Sequence, residues 1–202
     1  MHEIETPHGP ARAHVHPADD PRAWLVLGHG AGGGVGARDL VAATEAAHTV
    51  GVGVALVEQP YRVAGRRSPA PAHQLDAAWV AVVDGLREAV VERLPLVVGG
   101  RSSGARVACR TSVATDAAGV LCLAFPLRPP RRKQGPEPPS RLDELDAVTV
   151  PVLVVQGARD PFGIPPAGPT RAVVEVSADH SLRTDLEAVR AAIGGWLRDV
   201  VR

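Results

Sequence analysis

The sequence predicts a single α/β domain in which a mostly parallel, doubly wound β-sheet carries helices on both faces. Short valine- and leucine-rich runs are separated by longer amphipathic segments. The short runs are nearly continuous in apolar residues, which is typical of strands that are buried on both faces. A length of 202 residues, 45% of them apolar, fits one domain of about 100–200 residues with a substantial core. We therefore predict one domain over residues 1–202.

Six buried strands are predicted, at 24–27, 52–57, 96–98, 120–123, 152–155 and 172–176. One or two short edge strands are expected within 4–17. The clearest helix covers 184–201, where apolar residues recur at three- and four-residue steps and Thr184 is the candidate N-cap. Further helices are predicted at 39–48, 73–92, 103–115 and 141–145. Strands that alternate with helices in this way indicate a parallel sheet.

Composition excludes several classes of function. The chain has 22 basic and 22 acidic side chains, and this zero net charge predicts neither a nucleic-acid partner nor a membrane partner. Its two cysteines, Cys109 and Cys122, lie in apolar stretches, so we expect buried free thiols rather than a disulfide framework. The polar N-terminus lacks the layout of a signal peptide, and no run has the roughly 18 apolar residues of a membrane span. We expect a soluble, cytoplasmic protein.

The strongest motif is a serine flanked at two residues on either side by glycine, in Gly100-Arg101-Ser102-Ser103-Gly104. It follows a predicted strand directly and opens a predicted helix. A sharp turn between strand and helix projects a serine hydroxyl above the sheet, and glycines permit the close packing that this turn requires. The pattern therefore predicts Ser102 as a nucleophile.

A nucleophilic serine of this kind is followed along the chain by an acid and then by a histidine, each after a strand. Asp160 and His180 occupy the loops after the last two predicted strands. His180 would accept the Ser102 proton and later protonate the leaving group, while Asp160 would hold the imidazole and stabilise its cation. Asp179 is an alternative acid, but a sequence neighbour of the histidine is poorly placed to reach its ring.

A second glycine-rich segment, 28–34, follows the first predicted strand. Serine hydrolases take one oxyanion donor from such a loop and the other from the residue after the nucleophile. We predict the N–H groups of Ala31 and Ser103 as these donors, with Gly30 or Gly32 as alternatives to Ala31.

The same segment also matches a dinucleotide-binding fingerprint, with Gly28, Gly30 and Gly33 at the required spacing and Glu58 after the next strand. Against this alternative, the following helix is predicted to begin only near Arg38. That is too late for its N-terminus to meet a pyrophosphate. A dinucleotide site also leaves the serine, acid and histidine unexplained, so no cofactor is predicted.

Together these motifs resemble the α/β-hydrolase superfamily over nearly the whole chain. More narrowly, the sequence is similar to a small lidless branch related to dienelactone hydrolases, which includes the hydrolase-like subunit of the eukaryotic NSL chromatin complex. The similar stretches are 28–33, 59–67, 99–107, 125–127 and 156–163. Dienelactone hydrolases use a cysteine nucleophile, so the serine here argues against a dienelactone substrate.

The connection where this fold usually inserts a lid is rich in proline and basic residues. Fewer than thirty residues separate the strands at 120–123 and 152–155, which leaves no room for a substantial lid. We expect residues 126–140 to form an extended, solvated loop. The basic side chains that could instead recruit an anionic acyl group are Arg128, Arg131, Arg132 and Lys133.

The resemblance implies the fold and the triad, but little about the substrate. From the ordered serine, acid and histidine we predict a serine hydrolase that cleaves a small ester, or alternatively a thioester or amide, through an acyl-enzyme on Ser102. Tyr61 and Arg62 follow a strand at the catalytic edge and are predicted to line the mouth of the substrate pocket. A catalytically silent binding or scaffold protein is the alternative.

His14 and His16 alternate on an edge strand without a third ligand, so no metal site is predicted.

Overall fold

The computed structural model describes residues 1–91, 93–129 and 138–202. Within them, eight strands form one sheet in the order β1-β2-β4-β3-β5-β6-β7-β8. The first two strands pair antiparallel to their neighbours, and all later pairs are parallel. The strands are β1 (His2–Ile4), β2 (Ala11–His16), β3 (Ala23–Gly28), β4 (Val52–Glu58), β5 (Leu96–Arg101), β6 (Gly119–Leu123), β7 (Val152–Gly157) and β8 (Arg171–Val176).

Helices cover both faces of this sheet, as the sequence predicts for a doubly wound fold. A π-helical turn over Arg87–Val91 extends the third helix. The first and last helices pack on one face, while the third and fourth pack on the other. The helices are α1 (Arg38–His48), α2 (Pro60–Val63), α3 (Ala72–Leu86), α4 (Ser103–Thr111), α5 (Leu142–Asp146) and α6 (Leu186–Val200).

Burial on both faces explains the continuous apolar runs. In β3, Trp24 and Val26 belong to the core beneath α3 and α4, whereas Leu25 and Leu27 belong to the core beneath α1 and α6. Successive side chains of a strand point to opposite faces, so a strand between two helical layers needs apolar residues at every position.

The end of the chain differs from its sequence prediction in one detail. Helix α6 begins at Leu186, and Asp185, at φ 54°, occupies the N-cap position. Thr184 is not the cap, because its hydroxyl donates to the carbonyl oxygen of Ser177. The hydrogen bond of Thr184 therefore joins the two ends of the loop between β8 and α6.

The connection between β6 and β7 contains, in its described part, only the five-residue helix α5. Arg131, Arg132 and Lys133 lie outside the described residues. Arg128 donates its backbone N–H to the carbonyl oxygen of Phe162, 3.0 Å away. In the described ranges, no helix has the length and apolar character needed to cross a bilayer.

Candidate active site

Ser102 lies at the tight turn between β5 and α4. Its backbone has φ 52° and ψ −108°, a combination that is sterically unfavourable for a residue with a side chain and costs about 1–3 kcal/mol. Its own N–H donates to the carbonyl oxygen of Leu123, 2.9 Å away on the neighbouring strand. The surrounding sheet thus stabilises a backbone conformation that exposes the hydroxyl.

The two flanking glycines are required because the turn packs against the end of β3. A Cβ on Gly100 would lie 2.6 Å from the carbonyl oxygen of Gly28, and a Cβ on Gly104 would lie 2.5 Å from the same atom. Real side chains do not approach backbone this closely. The glycine spacing predicted from the sequence therefore has a direct steric cause.

The structure brings Ser102, His180 and Asp160 into one hydrogen-bonded chain. His180 Nε2 lies 2.9 Å from Ser102 Oγ, and His180 Nδ1 lies 2.7 Å from Asp160 Oδ2. An ionised carboxylate only accepts hydrogen bonds, so Nδ1 carries the proton and Nε2 is free to accept one from the serine hydroxyl. The Phe162 ring packs 4.3 Å from the imidazole, measured between centroids.

Asp160 accepts a hydrogen bond from Gln156, a residue that the sequence analysis did not single out. Gln156 Nε2 lies 2.7 Å from Asp160 Oδ2 and also contacts the carbonyl oxygens of Phe125 and Gly163, at 3.1 and 2.9 Å. The N–H of Phe162 donates to the other carboxylate oxygen, at 2.9 Å. These donors compensate the cost of removing the carboxylate from water. The sequence did offer one signal for this role, because Gln156 is a lone polar residue in the otherwise apolar, buried strand β7.

The alternative acid, Asp179, is placed elsewhere. Its Oδ1 accepts hydrogen bonds from both the backbone N–H and the hydroxyl of Ser181. Those bonds are the main reason that the pKa of Asp179 lies below its usual range. Asp179 is exposed and stabilises the loop, while Asp160 contacts the imidazole.

The glycine-rich loop after β3 is anchored by His29. Burial lowers the pKa of this histidine, so its ring is neutral. Its Nε2 accepts the N–H of Gln59 at 3.2 Å, which leaves Nδ1 to donate to the carbonyl oxygen of Gly30 at 2.8 Å. The His29 ring also meets the Tyr61 ring edge-on, with centroids 5.7 Å apart.

This anchored loop approaches the nucleophile closely. A Cβ on Gly30 would lie 3.6 Å from Ser102 Cβ, and Ala31 is the next residue along. The Tyr61 hydroxyl donates to the carbonyl oxygen of Ala31, at 3.0 Å. Ser103 is the first residue of α4, where backbone N–H groups lack an intrahelical acceptor.

Of the two predicted substrate-binding residues, Tyr61 lines two small cavities and Arg62 lines neither of them. One cavity, of about 90 Å³, extends from Tyr61 toward His8. A smaller one, of about 10 Å³, lies against Ser103 and shares Tyr61 with the first. Arg62 Nη1 instead lies 3.4 Å from the carbonyl oxygen of Arg66.

The residues of the alternative sites have other partners. Glu58, the candidate ribose ligand, accepts a hydrogen bond from His14 on β2, at 3.0 Å. Helix α1 begins at Arg38, five residues after the last glycine of the fingerprint. In the part of the chain that the structure describes, no three metal-binding side chains are grouped together.

Comparison with known proteins identifies the fold and the domain family. A family model described as an alpha/beta hydrolase domain matches residues 21–185. No curated protein sequence matches significantly. Among solved structures, a serine hydrolase without a lid from Xanthomonas campestris is 19% identical, with a TM-score of 0.77 over 98% of this chain and 93% of that one.

Two further structures share the fold. Est1E from Butyrivibrio proteoclasticus, solved with bound ferulic acid, is 15% identical, with a TM-score of 0.79 over 98% of each chain. Dienelactone hydrolase from Anabaena variabilis is 14% identical, with a TM-score of 0.76 over 98% of this chain and 95% of that one. These comparisons leave the relation to the NSL subunit as a prediction. The match over residues 21–185 shows that the chain belongs to the alpha/beta hydrolase domain family.

Proposed function

We propose that this protein is a carboxylesterase-like serine hydrolase that cleaves small esters through an acyl-enzyme on Ser102. The observation that carries the proposal is the hydrogen-bonded chain from Ser102 through His180 to Asp160, placed at a strained turn that exposes the hydroxyl. A catalytically silent scaffold has no need of this combination of a strained serine, a correctly oriented histidine and a buried acid.

In the first half of the reaction, Ser102 Oγ attacks the carbonyl carbon while its proton passes to His180 Nε2. The N–H groups of Ala31 and Ser103 stabilise the resulting oxyanion. The intermediate collapses as the bond to the leaving oxygen breaks, and His180 transfers its proton to that oxygen. Asp160 stabilises the imidazolium throughout without taking a proton.

In the second half, water attacks the acyl group on Ser102 and gives a proton to His180. The bond to Oγ breaks, the carboxylic acid leaves and the serine hydroxyl recovers its proton from His180. The overall balance is one ester and one water consumed, with one acid and one alcohol formed.

The short connection between β6 and β7 supports a short acyl group. Its described part contains only the five-residue helix α5, and a long acyl chain needs more apolar surface than that to bury against. The cavity that Ser103 lines measures only about 10 Å³, well below the roughly 300 Å³ at which pockets for larger ligands begin. Each methylene group of the acyl chain that stays in water contributes none of the roughly 0.8 kcal/mol that its burial provides. We expect kcat/KM to be highest for acetyl or butyryl esters, to fall toward palmitoyl esters and not to rise at a lipid–water interface. A maximum at long chains would contradict this substrate size.

The test of the proposed nucleophile is labelling with a fluorophosphonate probe, together with turnover of p-nitrophenyl acetate. Ser102→Ala should abolish labelling and lower kcat by about 10⁶-fold. Ser103→Ala is the matched control, since it removes a neighbouring hydroxyl and keeps the backbone N–H. It should label and retain most activity. If the intact protein neither labels nor turns over any ester, the scaffold alternative is favoured.

A further inference from the structure

A larger cavity, of about 360 Å³, lies on the α1 side of the site and is unused in the mechanism above. Its walls come from the glycine-rich loop, from the start of α1, from the residue before the nucleophile and from the loop that carries His180. The lining residues on which the argument depends are Arg38, Asp39, Arg101, Ser181 and Arg183.

The charges of this cavity are predominantly positive. Arg101 is half-buried, with its Nε 3.0 Å from the buried carboxylate of Asp39, and that pair is close to neutral. Arg38 and Arg183 are exposed, and within the described residues neither forms a close ion pair, although Arg183 interacts electrostatically with the exposed Asp179 on its own loop. Among the residues that line the cavity, three arginines face the single carboxylate of Asp39.

The start of α1 does not supply the binding site by itself. Asp39 Oδ1 already accepts the N–H of Leu40, at 3.0 Å, so the carboxylate occupies the position where an anion would meet the first helical turn. The exposed guanidinium groups of Arg38 and Arg183 are side-chain donors available to a ligand.

The cavity adjoins the loop that carries the proton-transfer residue, His180. Arg101 Nη2 donates to the carbonyl oxygen of His180, at 3.2 Å, and Ser181 and Arg183 follow His180 on the same loop. In the proposed reaction His180 protonates the leaving oxygen, so the leaving group lies beside its ring. A leaving group that extends from His180 past Ser181 reaches this cavity.

We propose that this cavity binds an anionic group, a carboxylate or a phosphate, on the leaving alcohol of the ester, with Arg38 and Arg183 as its ligands. Guanidinium groups suit both anions because they donate two parallel hydrogen bonds. This inference rests on the proposed hydrolase function and narrows its substrates to short acyl esters of anionic alcohols.

The test compares three aryl acetates that differ only in the group meta to the ester: 3-acetoxybenzoate, 3-acetoxyphenyl phosphate and the neutral 3-acetoxybenzamide. Rates are normalised to hydroxide-catalysed hydrolysis. With two exposed charge pairs, we expect kcat/KM for the preferred anion to exceed that for the amide by about tenfold, mainly through KM. The two anions distinguish carboxylate from phosphate recognition. Equal values for all three esters would overturn the proposal.

The variants Arg38→Gln and Arg183→Gln should each lower the preference for the anionic ester by about threefold, and together remove it, with little change for the amide. Arg198→Gln on α6 is the matched control, because it removes an exposed arginine that does not line the cavity. It should leave the preference intact. An equal loss for anionic and neutral esters would contradict a charge-specific site.

A binding measurement separates this proposal from the hydrolase function. Calorimetry on Ser102→Ala protein uses 3-hydroxybenzoate, 3-hydroxyphenyl phosphate and 3-hydroxybenzamide, which need no catalysis. Binding of an anion that weakens with added salt and is lost when Arg38 and Arg183 are replaced supports the cavity, even if no ester is hydrolysed. Anion binding that is absent, or unchanged by those replacements, overturns it.

Discussion

The turn that carries Ser102 and the two loops that carry Asp160 and His180 are built in different ways. The turn is constrained by steric fit: its glycines are required because the Gly28 carbonyl oxygen at the end of β3 leaves no room for a side chain. The acid and the histidine come from loops after separate strands. The Gln156 side chain and the backbone N–H of Phe162 donate to Asp160, which in turn bonds to His180. The nucleophile therefore depends on steric fit, whereas the acid and base depend on a buried polar network.

This difference predicts two kinds of failure. A substitution of a glycine in the turn should damage folding, because the backbone that it contacts has no room to relax. A substitution in the polar network should leave the fold largely intact and impair the proposed chemistry, because it changes the orientation or tautomer of the imidazole.

Between the glycines of the turn and the polar network of the loops, the largest expected effect is kinetic and lies in the loops. Asp160→Asn should lower kcat for p-nitrophenyl acetate by about 10⁴-fold, because the amide favours the wrong tautomer of His180. Asp179→Asn is the matched control and should change kcat little, since that side chain bonds to Ser181. The reverse ranking in parallel assays would transfer the role of the acid to Asp179.

The next effect is on stability and lies in the turn. Gly104→Ala should lower the free energy of unfolding by about 3 kcal/mol, because the added methyl group meets the Gly28 carbonyl oxygen. Gly195→Ala in α6, where a Cβ meets nothing within 4 Å, should raise it by about 0.5–1 kcal/mol. Urea denaturation of both variants tests the contrast. Equal stability of the two would show that the turn can relax.

The smallest expected effect is on kcat and comes from Gln156. It shows whether Gln156 acts on catalysis through Asp160. Gln156→Leu should lower kcat roughly 10- to 100-fold, because a misplaced carboxylate misaligns the imidazole. In an Asp160→Asn background the same change should cost little further. A double-mutant cycle on kcat measures this coupling. Purely additive losses would assign Gln156 a structural role alone.

The sequence alone was sufficient to predict the fold class, the positions of the central strands and the turn around Ser102. Each of these features leaves a pattern within a short stretch of sequence. Continuous apolar runs indicate a strand that is buried on two faces, and glycines at fixed offsets indicate one tight turn. The family match and the eight-stranded sheet confirm the fold. Chain order also singled out Asp160 and His180, because the carboxyl ends of parallel strands meet at one edge of the sheet.

Only the tertiary structure revealed the partners that come from distant parts of the chain. Gln156 was recognisable as a polar residue in a buried strand, but its contact with Phe125, 31 positions earlier, depends on how the end of β6 packs against β7. The same holds for the cavity in which Arg38 and Arg183 lie 145 positions apart in the chain. A periodic pattern records which face of an element is buried, whereas the identity of the groups that meet there is decided by packing between elements.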